Sequence, residues 1–343
     1  MLALLRASLR QQPCEALPPQ VDWHRLFLIA RQHGVVTLLY DAIVRLPAQL
    51  QPQGDDAISW TLSAERTRQH FAQQTAVLQQ LAEKANKADL PMLLVKGNDL
   101  ARLYPVPDSR ACGDIDLFFF DRYSDGNALL GNPDAPLDGK HSSHHVDGVE
   151  VENHLFFLDQ NQVRQRRAER YIHSTLPQAW RDSMGVFHLS PLGNMVYLLM
   201  HTVCHLTAKY KLPLRNLLDW GLFLHAYRNE LSPDQCRKVV RSIGMSNAFN
   251  LLTFLAGDLL DLDFSSYLYG KHWRKDTERM RALILHKAYL PHVEESLSFH
   301  NQLKQRIQRY RQRHWLYRYL PYTRHEQICN ILAKQWHSWT GKH

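Results

Sequence analysis

The sequence has no cysteine pair. Its five cysteines (Cys14, Cys112, Cys204, Cys236, Cys329) are far apart and odd in number, with no Cys-x-x-Cys. Neither a disulfide framework nor a zinc ribbon fits that spacing. Long apolar runs are missing too. No window reaches the about 18 apolar residues that a membrane-crossing helix needs. The longest candidate, Met195 to Leu206, is broken by His201 and His205. The first residues, MLALLRASLRQQPCEALPPQ, lack the layout of a signal peptide, because their apolar stretch is short and interrupted by Arg6. No internal repeat, collagen-like period or coiled-coil bias is found. These absences lead to the expectation of a reduced, cytoplasmic protein.

What is present is an ordinary globular composition. The 343 residues are 45% hydrophobic, enough for a real core. Lys+Arg 41 against Asp+Glu 33 gives a net charge of +8. The excess is local. Residues 301–343 hold nine Lys/Arg and one acid, Glu326, while the first 300 hold 32 of each sign. A basic balance points toward nucleic acid or an anionic surface, but here it marks one terminal segment.

Periodicity predicts helices over Val21 to Leu46, with Gly34 as the break, and over Ile58 to Ala88, with an inner stripe of Leu62, Phe71, Leu78, Leu81 and Ala82 that Thr75 interrupts. At Leu90 the pattern changes. Pro91-Met92-Leu93-Leu94-Val95 reads as a buried strand, followed by Lys96-Gly97-Asn98 and a short helix (Asp99 to Tyr104). Ile115 to Phe120 reads as a second strand. His141 to Val146 and Val149 to Leu158 form a hairpin around Asp147-Gly148, a pair that tolerates the positive φ of a type I′ turn. Beyond Asn161 the chain reads as helices: from Ser190-Pro191 to about Tyr210, from about Leu214 to Tyr227, and from Ser232, an N-cap with Pro233 behind it. The expected fold is α+β, a small mixed sheet flanked by helices. The expected division is 1–88 helical, 89–165 core sheet, 166–300 helical and 301–343 basic tail.

One segment carries chemistry. In Asp114-Ile115-Asp116-Leu117 two carboxylates sit at i and i+2, on one face of a strand. Such anions repel unless divalent cations bridge them, and Mg²⁺ prefers oxygen ligands. A third carboxylate would complete a two-metal clamp for phosphoryl transfer. Glu150 and Glu152 both qualify, sharing one face of the second hairpin strand with His154, while Val149 and Val151 take the other. The Lys96-Gly97-Asn98 turn suits phosphate, because Gly lets backbone N–H groups approach. Lys96 and Arg110 are the nearest basic candidates for a triphosphate.

The stretch LLVKGNDLARLYPVPDSRACGDIDLF resembles the polymerase-β-like nucleotidyltransferase superfamily. More narrowly, it is similar to a bacterial family of uncharacterised nucleotidyltransferases. The matching features are Lys96-Gly97, the loop from Tyr104-Pro105 to Arg110, Asp114-Ile115-Asp116-Leu117 and Glu152-Asn153-His154. Looser likeness runs through Trp23, Ala30 and His33-Gly34-Val35, and through His201, His205 and Leu217-Leu218-Asp219. The likeness spans roughly residues 20 to 225 and is specific between 93 and 158. It implies transfer of a nucleoside monophosphate from an NTP to an acceptor, with Mg²⁺ (or Mn²⁺) held by Asp114, Asp116 and Glu152. Lys96, Gly97, Asn98 and Arg110 would then orient the triphosphate. Two positions depart from the superfamily pattern: Asn98 replaces Ser or Gly, and Glu152 replaces the commoner Asp. The alternative is a non-catalytic nucleotide- or RNA-binding protein on the same fold.

Other features carry weaker readings. His201 and His205 have i,i+4 spacing, but Thr202 stands where a zinc protease would have Glu; packing or hydrogen bonding is the plainer role. Arg215 and Asp219 fit an i,i+4 ion pair on a helix surface. His154, His201, Arg215 and Asp219 are also the candidates for the acceptor side. His141, His144 and His145 have no assigned role. LKQRIQRYRQRHWLYRYL reads as an amphipathic helix, with Leu303, Ile307, Tyr310 and His314 on one stripe. Its Arg, Tyr and Trp residues would suit RNA or an anionic surface.

Overall fold

The computed structural model describes residues 1–14, 17–18, 20–209, 212–271, 273–285, 314–321 and 326. Three helices open the chain: α1 (Leu2–Arg10), α2 (Trp23–His33) and α3 (Val36–Ile43). Asp22 caps α2, its carboxylate accepting from Arg25 N at 2.8 Å. Gly34 ends it in the left-handed conformation, φ 65°, where a side chain would be strained. The 34-residue α4 (Gly54–Lys87) follows. Its buried stripe differs from expectation. Leu62 is exposed and Gln74, not Thr75, is buried. The stripe is anchored by Trp60, fully buried edge-on against Phe27 and Trp23, and runs through Ala64, Gln74, Val77, Leu78 and Leu81.

The middle of the chain builds the sheet. β1 (Leu93–Val95) leads into α5 (Gly97–Ala101), then β2 (Ile115–Phe118), α6 (Tyr123–Leu129), β3 (His141–Val146) and β4 (Val149–His154). Asp147 and Gly148 both have positive φ, 48° and 78°, as the Asp-Gly pair predicts. After α7 (Val163–Thr175) come β5 (Trp180–Arg181) and β6 (Phe187–His188). This hairpin corrects the expectation of helices alone beyond Asn161. Two-residue strands are too short to show a period of two. The sheet order is β3-β4-β2-β1-β6-β5. It is mixed: β1 runs parallel to β6 and β2 parallel to β4, and the other pairs are antiparallel. The fold is α+β, as expected.

Each sheet face meets a different helical layer. Leu94, Ile115, Leu117, Val149 and Val151 pack beneath α4. Leu93, Val95 and Phe118 join the main core with α8 (Pro191–Lys209), α9 (Leu214–Ala226), α10 (Pro233–Ser242) and α11 (Ser246–Leu260). The last described helix is α12 (Thr277–Leu285). Alternation along β2 puts Asp116 on the same face as Phe118, toward α8. The main core contains residues from all four expected segments, from Leu4 to Leu320. In the basic tail, His314–Arg318 is a 3-10 turn rather than part of an amphipathic α-helix. Trp315, Leu316, Tyr319 and Leu320 are buried in the core, and Tyr319 donates to Asp276 Oδ2 at 2.8 Å. The stripe residues Leu303, Ile307 and Tyr310 lie outside the described residues.

Two polar knots fix the elements that carry the site. Asn127 Oδ1 of α6 accepts from Ser142 Oγ and Asn153 Nδ2, each at 2.7 Å, holding the β3–β4 hairpin. Asp99 of α5, 2% exposed, meets His188 Nδ1 at 2.8 Å, Arg102 Nε at 2.9 Å and Asn194 Nδ2 at 3.2 Å. It thereby ties α5 to β6 and α8. Burial alone would raise the Asp99 carboxyl, but the His188 and Arg102 contacts hold it below its usual value. Burial works against His188 as a cation, and the Asp99 and Asp182 carboxylates outweigh it and raise its pKa.

The sign for His188 follows from that rise. A folded-state pKa above the unfolded value, about 6.5, contributes stability that is complete below that pH and is lost as pH rises through the folded pKa. The depressed Asp99 contributes above about pH 3.8 and does not change in this range. His188→Gln is therefore expected to destabilise by about 1–3 kcal/mol at pH 6 and by less at pH 9, measured by urea unfolding at both.

Candidate active site

The site begins where β1 ends. Lys96 has φ 44° and Gly97 φ 32°. The left-handed region is unfavourable for a lysine, by roughly 1–3 kcal/mol. Gly97 has a second reason to lack a side chain: a Cβ there would stand 3.2 Å from the Asp114 carbonyl oxygen. This turn sends the Lys96 side chain back over the sheet instead of out into solvent.

There it meets three carboxylates. The register aligns Val95 with Asp116 across β1–β2, and Asp116 with Glu152 across β2–β4. Lys96 Nζ is 2.5 Å from Asp116 Oδ1, 3.5 Å from Asp114 Oδ2 and 3.9 Å from Glu152 Oε2. Asp116 is 0% exposed. One oxygen of Asp114, Asp116 and Glu152 each lies within 4.8 Å of the other two. His154 Nε2 is 2.9 Å from Asp116 Oδ1 and 3.1 Å from Glu152 Oε2. Glu150, the competing third acid, is exposed and pairs across the hairpin with His145. The sheet thus brings Glu152 to the aspartates and leaves Glu150 outside.

The electrostatics are those of a cation pocket. Burial alone would push Asp116 up, but Lys96 and His154 hold it well below the usual carboxylate range. Asp114 is raised, first by burial and then by the Asp116 charge. Burial disfavours the Lys96 ammonium, yet the carboxylates, Asp116 foremost, keep its pKa above normal. Asp116 Oδ2 is buried without a hydrogen-bond partner. An unpartnered carboxylate oxygen among further hard oxygen donors fits a divalent cation.

Three neighbours went unassigned in the sequence. Lys140, half-buried before β3, has its pKa lowered by burial and by Lys96. The Tyr197 ring of α8 is fully buried, and its hydroxyl, without a hydrogen-bond partner, interacts electrostatically with Lys96 and Asp116. His141 Nδ1 is 3.4 Å from Glu152 Oε2. No local pattern marks Tyr197 or Lys140. His201 of α8 also feels this charge. Its pKa lies well below normal, first by burial and then by Lys96 and His205, and its Nε2 is 3.0 Å from His205 Nε2.

Arg110, Arg215 and Asp219 are placed elsewhere. Arg110 is buried and grips Asp219 with two 2.8 Å bonds, through Nε and Nη2. Its Nη1 meets Cys112 Sγ at 3.1 Å, and Tyr104 also donates to Asp219. A guanidinium so occupied is not open to a triphosphate. Asp219 is buried rather than on a helix surface, and Arg215 donates to the Ala111 carbonyl at 2.7 Å. Together these three join the loop before β2 to α9. Asn98 is half-buried, and its Oδ1 has no hydrogen-bond partner.

A family model described as an uncharacterised nucleotidyltransferase matches residues 19–261. The chain belongs to this family. The match contains the Lys96 turn, all three carboxylates and the helices from α2 through α11. No curated protein and no solved structure matches the chain. Family membership supports a transferase activity. Among the described residues, no helix is long and apolar enough to cross a membrane.

Removing one partner of a buried ion pair strands the other charge. Asp219→Ala should therefore destabilise by about 3–5 kcal/mol in chemical denaturation, with Tyr104→Phe costing about 1 kcal/mol. Lys96→Ala should lower the melting temperature in chelator. Added Mg²⁺ or Mn²⁺ should then raise it more than in the wild type, since the cation replaces a missing ammonium.

Proposed function

We propose that this chain transfers a nucleoside monophosphate from a nucleoside triphosphate to an acceptor group, with Asp114, Asp116 and Glu152 holding Mg²⁺ or Mn²⁺. The carrying observation is the acidic pocket itself: one wholly buried carboxylate with an unpartnered oxygen, two neighbours beside it, and an ammonium drawn among them. Cations bound there would neutralise charge on the phosphates and assist loss of the acceptor proton.

The chain's own groups would position the reactants. Lys96 and Lys140 are the ammonium groups at the pocket and would meet triphosphate oxygens. Gly97 keeps the turn open to close approach, and the Asn98 amide can donate where the superfamily has a hydroxyl. His154 fixes the orientation of Asp116 and Glu152. His201, held neutral, and the Tyr197 hydroxyl are available on the helical side, where an acceptor would enter. Glu152 would receive the acceptor proton or orient its hydroxyl. The tightly engaged Arg110 acts through structure, by holding the loop that presents Asp114.

One observation favours a second reading. Lys96 already fills the position between the carboxylates, and a chain that kept it there would bind a nucleotide without transferring it. The assay that separates the two uses α-labelled NTPs, Mg²⁺ and cell extract. Label transfer should appear with the wild type and fall about a hundredfold or more with Asp116→Asn, the equivalent of about 3 kcal/mol. Nucleotide binding without transfer under every condition would favour the second reading.

A further inference from the structure

Beside the three carboxylates lies a group of different chemistry. His141 Nδ1, Glu152 and His154 Nε2 offer ligand atoms within 4.8 Å of one another. The hairpin builds this group. His141 stands opposite His154 across β3–β4, and Glu152 is two residues before His154 on the same strand. All three therefore project from one face.

The contacts already converge on the space between them. His154 Nδ1 is 3.2 Å from the Phe156 carbonyl oxygen, and its Nε2 lies 2.9 Å from Asp116 Oδ1 and 3.1 Å from Glu152 Oε2. A metal ion taking the place of the proton shared there would meet the same nitrogen and the same Glu152 oxygen. A backbone carbonyl behind the far nitrogen is the usual support of a metal-bound imidazole, since it fixes the tautomer and the ring. His141 adds an independent sign, because its Nδ1 is buried without a hydrogen-bond partner.

We propose that His141, Glu152 and His154 form a second cation position, adjacent to the carboxylate pocket and sharing Glu152 with it, that takes a borderline divalent metal such as Zn²⁺, Co²⁺ or Cu²⁺ in preference to Mg²⁺. Imidazole nitrogens suit these ions, whereas Mg²⁺ demands oxygen ligands. The site extends the nucleotidyl-transfer reading without depending on it, since metal binding here requires no nucleotide.

The test uses the full chain, stripped of metal and without nucleotide. One equivalent of Cu²⁺ is added in the presence of excess Mg²⁺, and pulsed electron paramagnetic resonance reads ¹⁴N coupling to the ion. The wild type shows nitrogen coupling. His141→Ala weakens Co²⁺ binding by about 10- to 100-fold and reduces that coupling, while Asp114→Asn retains it. Circular dichroism checks that each variant is folded, and His141→Gln replaces the alanine variant if that one is not. A wild type without nitrogen coupling, or one in which Mg²⁺ displaces Co²⁺ at comparable concentration, overturns the proposal. Coupling without nucleotidyl transfer supports this site and removes the transfer reading. Transfer without coupling overturns this site alone.

Discussion

A carboxylate with no access to water stays ionised only with positive charge beside it, and Asp116 is a fully buried carboxylate. Lys96 supplies the charge, and much of the surrounding architecture serves to put it there. The left-handed backbone at Lys96 and Gly97 turns the side chain inward. The antiparallel β1–β2 register sets Val95, one residue before Lys96, across from Asp116, and the parallel β2–β4 register sets Glu152 on the other side. Each pairing is a backbone fact with an electrostatic result. Slip β2 or β4 by one residue and the acid it carries would face α4 instead of α8.

The supporting contacts form a chain outward from that pair. Asp99, His188 and Asn194 lock α5 against β6 and α8, so the helix after the Lys96 turn cannot drift. Asn127 locks the hairpin that carries Glu152 and His154. Arg110 and Asp219 lock the loop that leads into Asp114. Three buried polar knots thus surround a fourth, and each is made of groups that would be costly to leave unpaired.

Much of this was readable from the residues alone. The i,i+2 aspartates, the Asp-Gly turn and the acid-x-His strand are local patterns with local physical causes, and the small mixed sheet followed from them. The choice between Glu150 and Glu152 was not readable, because both share a face and only strand pairing tells them apart. Arg110 looked like a phosphate ligand because its partner, Asp219, is 109 positions away. Tyr197 and Lys140 reach the site from outside the motif. The short strands β5 and β6 carry too few residues for a period. The basic tail misled for a related reason: Trp315 and Tyr319 read as an aromatic, cationic surface, yet they fill the core.

The main core also bears on where this protein can be cut. Leu4 and Leu5 of α1, together with Trp315, Leu316, Tyr319 and Leu320, pack with the helices behind the sheet, and Arg6 bonds the Leu259 carbonyl at the end of α11. Leu4, Leu5, Arg6 and the four tail residues all lie outside residues 19–261, the span shared with the family. The span that matches the family and the span that builds the core are therefore not the same. A fragment trimmed to the shared span would keep every carboxylate of the pocket and expose the back of the layer that supports it. For this chain, recombinant boundaries are better chosen by the reach of the core than by the reach of the similarity.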